Sequence, residues 1–529
     1  GKTSLLAALN KRSKCHVEGQ ILLNGCNVDQ ELMSKISGFV PQKDLSIESL
    51  TVQEHLEFMA RLKMDRHTSW KELLLIVTNV IEHLSLSHRA DTQLSAWLIS
   101  FSAMNVIKLL RRLANEGKMI ICAIHQPTSG VFEKFDSVSL LVSGGKLAYH
   151  GEVSTVLDHF KNIGLICPPT FNQAEFLVST VATLPTEDVN SEQKRVNRIA
   201  DSFKRSAACA ALLNELDAIV CMLFAFLPIL IIFCQYYPYY VFFYFSQPAK
   251  LSTQFVWLLW RSYINLRRTS QANFARFCLY LVMLMVSVPY ADLQINQTGI
   301  QNLQGLLYSA MAEIIFSSAY SVLFTFPEEI PVFLYDVGDN VYSTSAYYTS
   351  KVVMMLPRTI IETFLLSSIV FWITGLRGGI SGWFEFAIRM IFGAITATSY
   401  GACLSATFES INTASLVSVP VDFIGSTFGG LFIQLRSLPF YMAWIKYISM
   451  FFYTFELLSI QQWRGVTDIP CSKSVDNVCY TTGEQVLHSY GLQSENNTLD
   501  FFGLIVMFCI FHVIGFFSLL RRSQQVAAY

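Results

Sequence analysis

The sequence predicts an incomplete α/β P-loop domain followed by an all-α transmembrane domain of six helices. Three observations carry that prediction: a charge-mixed first part ending near Asp217, long apolar blocks with charges at their edges after it, and Gly1-Lys2-Thr3-Ser4 opening an apolar helix. The 529 residues are 52% hydrophobic, 13% aromatic and 15% charged, with a mean hydropathy of +0.40. A disordered, collagenous or nucleic-acid-binding chain is excluded by those values. With 38 Lys and Arg against 39 Asp and Glu, the net charge is -1, so no global field attracts polyanions and phosphate binding needs a local site.

Gly1-Lys2-Thr3-Ser4, followed by the apolar run from Leu5 to Leu9, reads as the second half of G-x-x-x-x-G-K-[ST]. In that motif backbone N–H groups at the helix start cradle phosphate oxygens, the lysine reaches the β/γ-phosphates and the hydroxyl serves Mg²⁺. The chain starts with no initiating Met, so the P-loop is expected to be truncated. Gly19 to Gly25 reads as strand and turn, and Ile36 to Gln42 as a strand ending in glutamine. Thr51, with Glu54 three residues on, predicts a capping box at the start of an amphipathic helix. Ile120 to Ile124 is a continuous apolar run expected to be a parallel strand that ends at His125-Gln126-Pro127. Leu140 to Gly151, with Gly144-Gly145 at its middle, predicts a hairpin-like close.

The order G-K-T, V-P-Q, L-T-V-x-E, I-H-Q-P, Y-H-G and then apolar spans resembles the ABC transporter G subfamily, the White-type half-transporters, over nearly the whole chain. The resemblance implies ATP and Mg²⁺ as cofactors, held through Gly1, Lys2, Thr3 and Ser4, with Thr3 and Gln42 on the metal. It also implies that Gln42 senses the attacking water and His125 contacts the γ-phosphate. The plainer alternatives are a helix-opening turn, a loop amide and a surface histidine. Two departures stand out: no L-S-G-G-E signature and no Asp-Glu-terminated Walker B strand occur between Leu86 and Lys108. Ser100-Phe101-Ser102-Ala103 resembles the loop that follows Walker B, as if a block before it were excised. Ser143-Gly144-Gly145-Lys146 mimics a signature only superficially, because it falls between two strands and after His125.

About 20 apolar residues span a bilayer. Six stretches qualify: 274–290, 303–326, 352–374, 384–407, 414–433 and 501–520. Arg261, Arg267, Arg268 and Arg276 flank the first, and Arg521 and Arg522 follow the last, which puts both ends in the cytoplasm. The sequons at Asn296 and Asn496 then fall outside, beside Cys471 and Cys479. Those two, alone among the 12 cysteines, sit together in a polar segment where an oxidising exterior favours a disulfide; two unrelated thiols is the other reading. Residues 218–245 are apolar enough to span, yet Pro228 and Pro238 break a helix there, so they are expected to be an intruding segment rather than a seventh span. Within the spans, Arg358 and Glu362 are spaced to pair on one helical face, and Glu313 is a further intramembrane ionisable group. The resemblance makes the Arg358–Glu362 pair part of a polar relay; a structural ion pair is the alternative. Phe316, Phe324, Phe423, Phe428 and Phe432 are candidates to line an apolar cavity, with lipid-facing packing as the alternative.

The expected domains are residues 1–185, a partial nucleotide-binding domain; 186–250, a linker; and 251–529, the membrane domain, opened by an interfacial connecting helix at 251–270. The resemblance implies a multi-pass protein of the plasma membrane or an intracellular vesicle, with the nucleotide domain cytosolic. It implies a homo- or heterodimer with another such half-transporter, moving lipid, sterol or small amphipathic or aromatic molecules, and no nucleic acid. The missing block raises a second expectation, a catalytically silent or truncated membrane subunit paired with a full-length partner. An ion channel is disfavoured by Lys2, Gln42 and His125.

Overall fold

A computed structural model of the chain describes residues 2–525 except 14–15, 24–25, 42–44, 46, 85, 95–102, 126, 143, 170, 183–188, 219–248, 269, 292–294, 324 and 471–478. The chain divides into two compact units, the first of residues 1–248 with Gly338–Asn340, the second of Ala249–Val337 and Val341–Gln525.

In the N-terminal unit, α1 (Lys2–Leu9) begins at the phosphate-type motif as its apolar run requires. A short hairpin, β1 (Leu22–Leu23) with β2 (Cys26–Asn27), follows. Next comes α2 (Gln30–Ile36), whose N-cap Asp29 accepts from Leu32 N at 2.7 Å. The capping box forms at α3 (Val52–Lys63): Thr51 N donates to Glu54 Oε2 at 2.9 Å and Glu54 N to Thr51 Oγ1 at 3.2 Å. α4 (Trp70–His83) packs on α3 through Phe58, Leu62, Leu73 and Val77.

After α5 (Ala103–Asn115) the chain forms the antiparallel pair β3 (Ser137–Leu141) and β4 (Leu147–Glu152). Gly144 and Gly145 turn that hairpin at φ +85° and +77°, so the two signature-like glycines lie in a turn between strands. Tyr149, Val156, Phe160, Leu177, Val196 and Phe203 make the core, joining β4 to α6 (Val156–Asn162), α7 (Gln173–Val181) and α8 (Val189–Lys204).

Two expected strands do not form. Residues 118–124 carry no ladder, and Ile121 is 55% exposed. Ile36 closes a helix, and Val40 beyond it is 89% exposed. Among the described residues the only sheets are two-stranded and antiparallel. Apolar, β-branched residues become a strand only where neighbouring strands accept their N–H and C=O groups, and here none does.

The second unit is helical. α9 (Leu251–Arg268) opens it, and α10 (Ser270–Ser287) follows. Next come α11 (Gln297–Leu323), α12 (Thr325–Gly338), α13 (Thr344–Thr374) and α14 (Gly379–Thr407). α15 (Ile411–Thr427), α16 (Met450–Trp463), α17 (Gly483–Tyr490) and α18 (Asn497–Gln525) complete it.

Among the described residues four helical stretches are long and apolar enough to cross a membrane: Gln297–Leu323, Thr344–Thr374, Gly379–Thr407 and Ser494–Gln524. The four match the second, third, fourth and sixth of the expected spans; the other two are shorter. The apolar part of the first expected span is only Phe277–Tyr290, and α15 has 17 residues with Pro420 inside. At 1.5 Å per residue α15 rises about 25 Å, short of the roughly 30 Å hydrocarbon core.

α14 is the central rod, packed by α11, α13, α16 and α18. Small residues permit this. A Cβ on Gly401 would collide with the Ala319 carbonyl, and one on Gly393 would come 2.7 Å from Thr454 Oγ1.

Candidate functional site

The phosphate end is built on the first turn of α1, where Lys2, Thr3 and Ser4 are all exposed. Lys2 Nζ donates to Ile124 O at 3.4 Å, so the lysine lies against the residue preceding the exposed His125. Ile120 to Ile124 thus delivers its last carbonyl to Lys2 without being a strand. Gly1 and Gln42 lie outside the described residues. So do residues 95–102 and the block 219–248. Among the described residues no group of three or more His, Cys, Asp or Glu is placed to hold a metal ion.

The membrane unit holds a cavity of about 610 Å³ between α11 and α15. Helical spacing explains its walls: Tyr308, Ala312, Phe316 and Tyr320 recur every four residues on α11, and Val419, Phe423 and Ser426 do so at three and four on α15. Phe432 closes one end, its ring 5.2 Å from that of Tyr308. Phe316, Phe423 and Phe432 are therefore brought together; Phe428 is buried without lining this cavity, and Phe324 lies outside the described residues. Glu313 and Asp422 also open on the cavity. Asp422 accepts from Tyr320 Oη at 3.0 Å and Ser418 Oγ at 2.6 Å.

Arg358 Nε and Glu362 Oε1 are 3.2 Å apart on α13, both side chains about a quarter exposed. A denser ionic cluster escaped the sequence reading. Arg261, counted there as a membrane-flanking cation, is 4% exposed and pairs with Asp336 Oδ2 at 3.3 Å. The Tyr342 hydroxyl also donates to Asp336 at 2.8 Å. Lys351 Nζ meets Glu329 Oε2 at 2.5 Å, and Tyr347 Oη donates to the same oxygen at 3.2 Å.

Burial alone would lower the Arg261 pKa, but Tyr342, Asp336 and Glu329 outweigh it and raise it, keeping the guanidinium charged. Burial would raise Glu329, yet Lys351 and Arg261 hold its carboxyl below the ordinary range. The cluster ties α9, α12 and α13 together. Its signal was available: Gln254, Leu258 and Arg261 fall at i, i+4 and i+7, one buried stripe of α9.

A second missed group is Glu456 of α16, 1% exposed. It accepts from Gln493 N at 2.8 Å and Asn496 Nδ2 at 3.3 Å. Asn496 is one of the two sequons. The other, Asn296, caps the start of α11 through Gly299 N at 2.7 Å, and its neighbour Gln297 donates to Tyr480 O at 2.8 Å, beside Cys479. Cys479 is disulfide-bonded; Cys471, its expected partner, lies outside the described residues.

A bundle of apolar helices with an aromatic cavity, entered through an amphipathic helix, is the membrane part of a transporter of the ABC-2 type. The profile of that family matches residues 253–463, and a second ABC-2 type transporter profile matches residues 125–198. The chain is 30% identical over 568 aligned positions to protein scarlet of Drosophila melanogaster, covering 99% of this chain and 83% of scarlet. It is 28% identical to protein white of the same fly, over 99% of this chain and 80% of white. With the mouse broad substrate specificity ATP-binding cassette transporter ABCG2 it shares 25% identity, over 98% of this chain and 86% of that protein. The chain belongs to the White-type half-transporters of the ABC transporter G subfamily, and it is an integral membrane protein. The alignment with scarlet is longer than this chain's 529 residues, so scarlet carries residues within the aligned span that are missing here.

Proposed function

We propose that the chain is one half of an ATP-driven transporter of lipid, sterol or small aromatic molecules, working as a homo- or heterodimer with another White-type half-transporter. The observation that carries this reading is the contact of Lys2 Nζ with the Ile124 carbonyl, which sets the lysine of the phosphate motif beside His125. In this reading Gly1, Lys2, Thr3 and Ser4 hold the phosphates, and His125 with Gln42 meets the γ-phosphate and the attacking water. The exposed ammonium and hydroxyls on the first turn of α1 fit a polyphosphate. Mg²⁺, which neutralises charge on the transferred phosphate, would rest on Thr3, Gln42, the nucleotide and water.

Residues 1–185 then form the partial nucleotide domain on the cytosolic side, 186–250 the linker and 251–529 the membrane domain. α10 and α15 supply the two shorter crossings that complete six. The sequons at Asn296 and Asn496 and the Cys479 disulfide face outward. The membrane is the cell surface or an intracellular vesicle.

A second reading has its own observation: no Asp-Glu strand end or L-S-G-G-E loop occurs between Leu86 and Lys108, and the alignments run longer than the chain. It is a catalytically silent subunit that binds a complete partner. One experiment separates the two. The full chain in lipid nanodiscs is tested for binding of a fluorescent ATP analogue and for Mg-ATP turnover, each against Lys2→Ala. Binding and turnover both lost in Lys2→Ala select the active transporter. Binding lost in Lys2→Ala with turnover at background selects the silent subunit. Absence of nucleotide binding in the unaltered chain sinks both.

A further inference from the structure

We infer that Glu456 of α16 and Asp500 of α18 share one proton, and that this proton is a latch holding the start of α18 on α16. Both side chains are buried in the membrane unit, at 1% and 2% exposure. Gln493 N and Asn496 Nδ2 donate to Glu456, and Asp500 follows Asn496 by four residues, one turn further along the chain. α16 and α18 pack on each other, and the charge of Glu456 acts on Asp500. Both donors go to a single oxygen of Glu456, Oε1. Glu456 Oε2 and Asp500 Oδ2 are buried with no hydrogen-bond partner among the described residues. An ionised carboxylate only accepts, so two of them here would leave two oxygens unmet and set two like charges together away from water. One proton removes both costs. It sits on one carboxyl and donates to the other, an O–H···O⁻ bond of the strong, charge-assisted kind.

The charges around the pair fit a single remaining negative charge. Lys446, just before α16, acts on Glu456, and its ammonium lies over the rings of Tyr447 and Phe452, 4.8 and 5.3 Å from their centres. Tyr453 of α16 is within electrostatic reach of both carboxyls. The other ionisable groups on the packed elements have partners or positions of their own. On α14, Arg389 donates to Glu385 at 3.0 Å and to Asn497 Oδ1 at 3.5 Å. On α17, His488 meets Arg436 at 3.0 Å, while Glu484, like Glu495 before α18, is exposed. α13 brings the paired Lys351, Arg358 and Glu362, and Glu313 of α11 and Asp422 of α15 open on the cavity. Parting α18 from α16 releases the shared proton, because a separated, hydrated carboxyl titrates near about pH 4. Rising pH therefore favours parting by up to about tenfold per pH unit, and acid favours the latch.

The full chain in lipid nanodiscs, without nucleotide or substrate, is read in two ways. Infrared spectra at about pH 7 should show the carbonyl stretch of a protonated carboxyl, sensitive to D₂O, that Glu456→Gln and Asp500→Asn each abolish, since the new amide gives the remaining carboxylate a donor. Hydrogen exchange of the amides at 501–508, corrected for intrinsic rate, should quicken by up to about tenfold per unit between about pH 6 and about pH 8 in the unaltered chain and stay flat in Glu456→Gln. Glu385→Gln, at an exposed carboxylate on α14 paired with Arg389, should alter neither reading. Absence of a protonated-carboxyl band from the unaltered chain, a band that both variants keep, or corrected exchange at 501–508 that ignores pH overturns the shared proton. The first and third of these need no variant to fold. Neither reading involves ATP turnover, so failure here leaves the proposed function standing.

Discussion

The two units of this chain satisfy their backbones in different ways. The long helices of the second unit close every interior N–H on a carbonyl four residues back, so each holds its form within one segment. Segments 37–41 and 118–124 of the first unit have no partner strand among the described residues, and the Ile124 carbonyl takes the Lys2 ammonium instead. Two ion pairs, one from each unit, differ in the same sense. The membrane unit buries whole ion pairs, with Arg261 and Asp336 at 4% and 6% side-chain exposure, whereas Arg111 and Asp136 in the first unit pair at 2.5 Å with exposures of 42% and 77%. The first of these pairs is dry and the second wet, so removing one partner costs severalfold more in the first.

The largest effect expected from that contrast is at Arg261. Arg261→Met leaves the Asp336 carboxylate buried without its guanidinium partner, and the loss of one partner from a buried pair costs about 3–5 kcal/mol. Asp136→Ala in the exposed pair should cost less than about 1 kcal/mol. Thermal unfolding of the two variants in the same detergent measures both. Equal losses would erase the distinction between the buried and the exposed pair.

Next in size is Gly401. Its Cβ position is filled by the Ala319 carbonyl, so Gly401→Val must push α11 and α14 apart and should cost about 1–3 kcal/mol. In the first unit Gly130 has only the flexible end of Met104 near its Cβ position, at 3.7 Å, and Gly130→Ala should change little. Monodispersity on size exclusion and melting temperature read the difference. A tolerated Gly401→Val would mean that the central rod is packed more loosely than its glycine positions imply.

The same contrast explains what was legible in the sequence. Hydropathy located α11, α13, α14 and α18, because a helix needs only its own residues, and the Thr51 and Glu54 capping box was readable for the same local reason. Ile120 to Ile124 and Ile36 to Gln42 had the right composition for strands, but a strand borrows its hydrogen bonds from neighbours that a local pattern cannot supply. Of the candidate sites, Lys2 and the residue before His125 meet, and three of five phenylalanines share a cavity. The Arg261 cluster was hidden because charges near an apolar block read as membrane flanks. Only packing of α9 against α13 turns Arg261 inward.

The smallest effect is a pH dependence confined to the first unit. His159 of α6 is held among aromatic rings, 5.3 Å from Tyr149 and 5.8 Å from Phe203, with its Nε2 buried and unbonded among the described residues. Burial lowers its pKa below the ordinary histidine value of about 6.5. The unfolded state therefore takes up the proton first as pH falls, and stability that is fully present above about pH 6.5 declines below it, until the folded-state value is passed. Hydrogen exchange of the amides in β4 and α6, corrected for intrinsic rate, should quicken between about pH 7.5 and pH 5.5. His159→Leu, which keeps the ring contacts apolar and has no proton to gain, should flatten that change, and amides of α14 in the membrane unit should report none. If the exchange of β4 slows toward pH 5.5, the imidazole is charged in its pocket and an acidic partner, not burial, sets its titration.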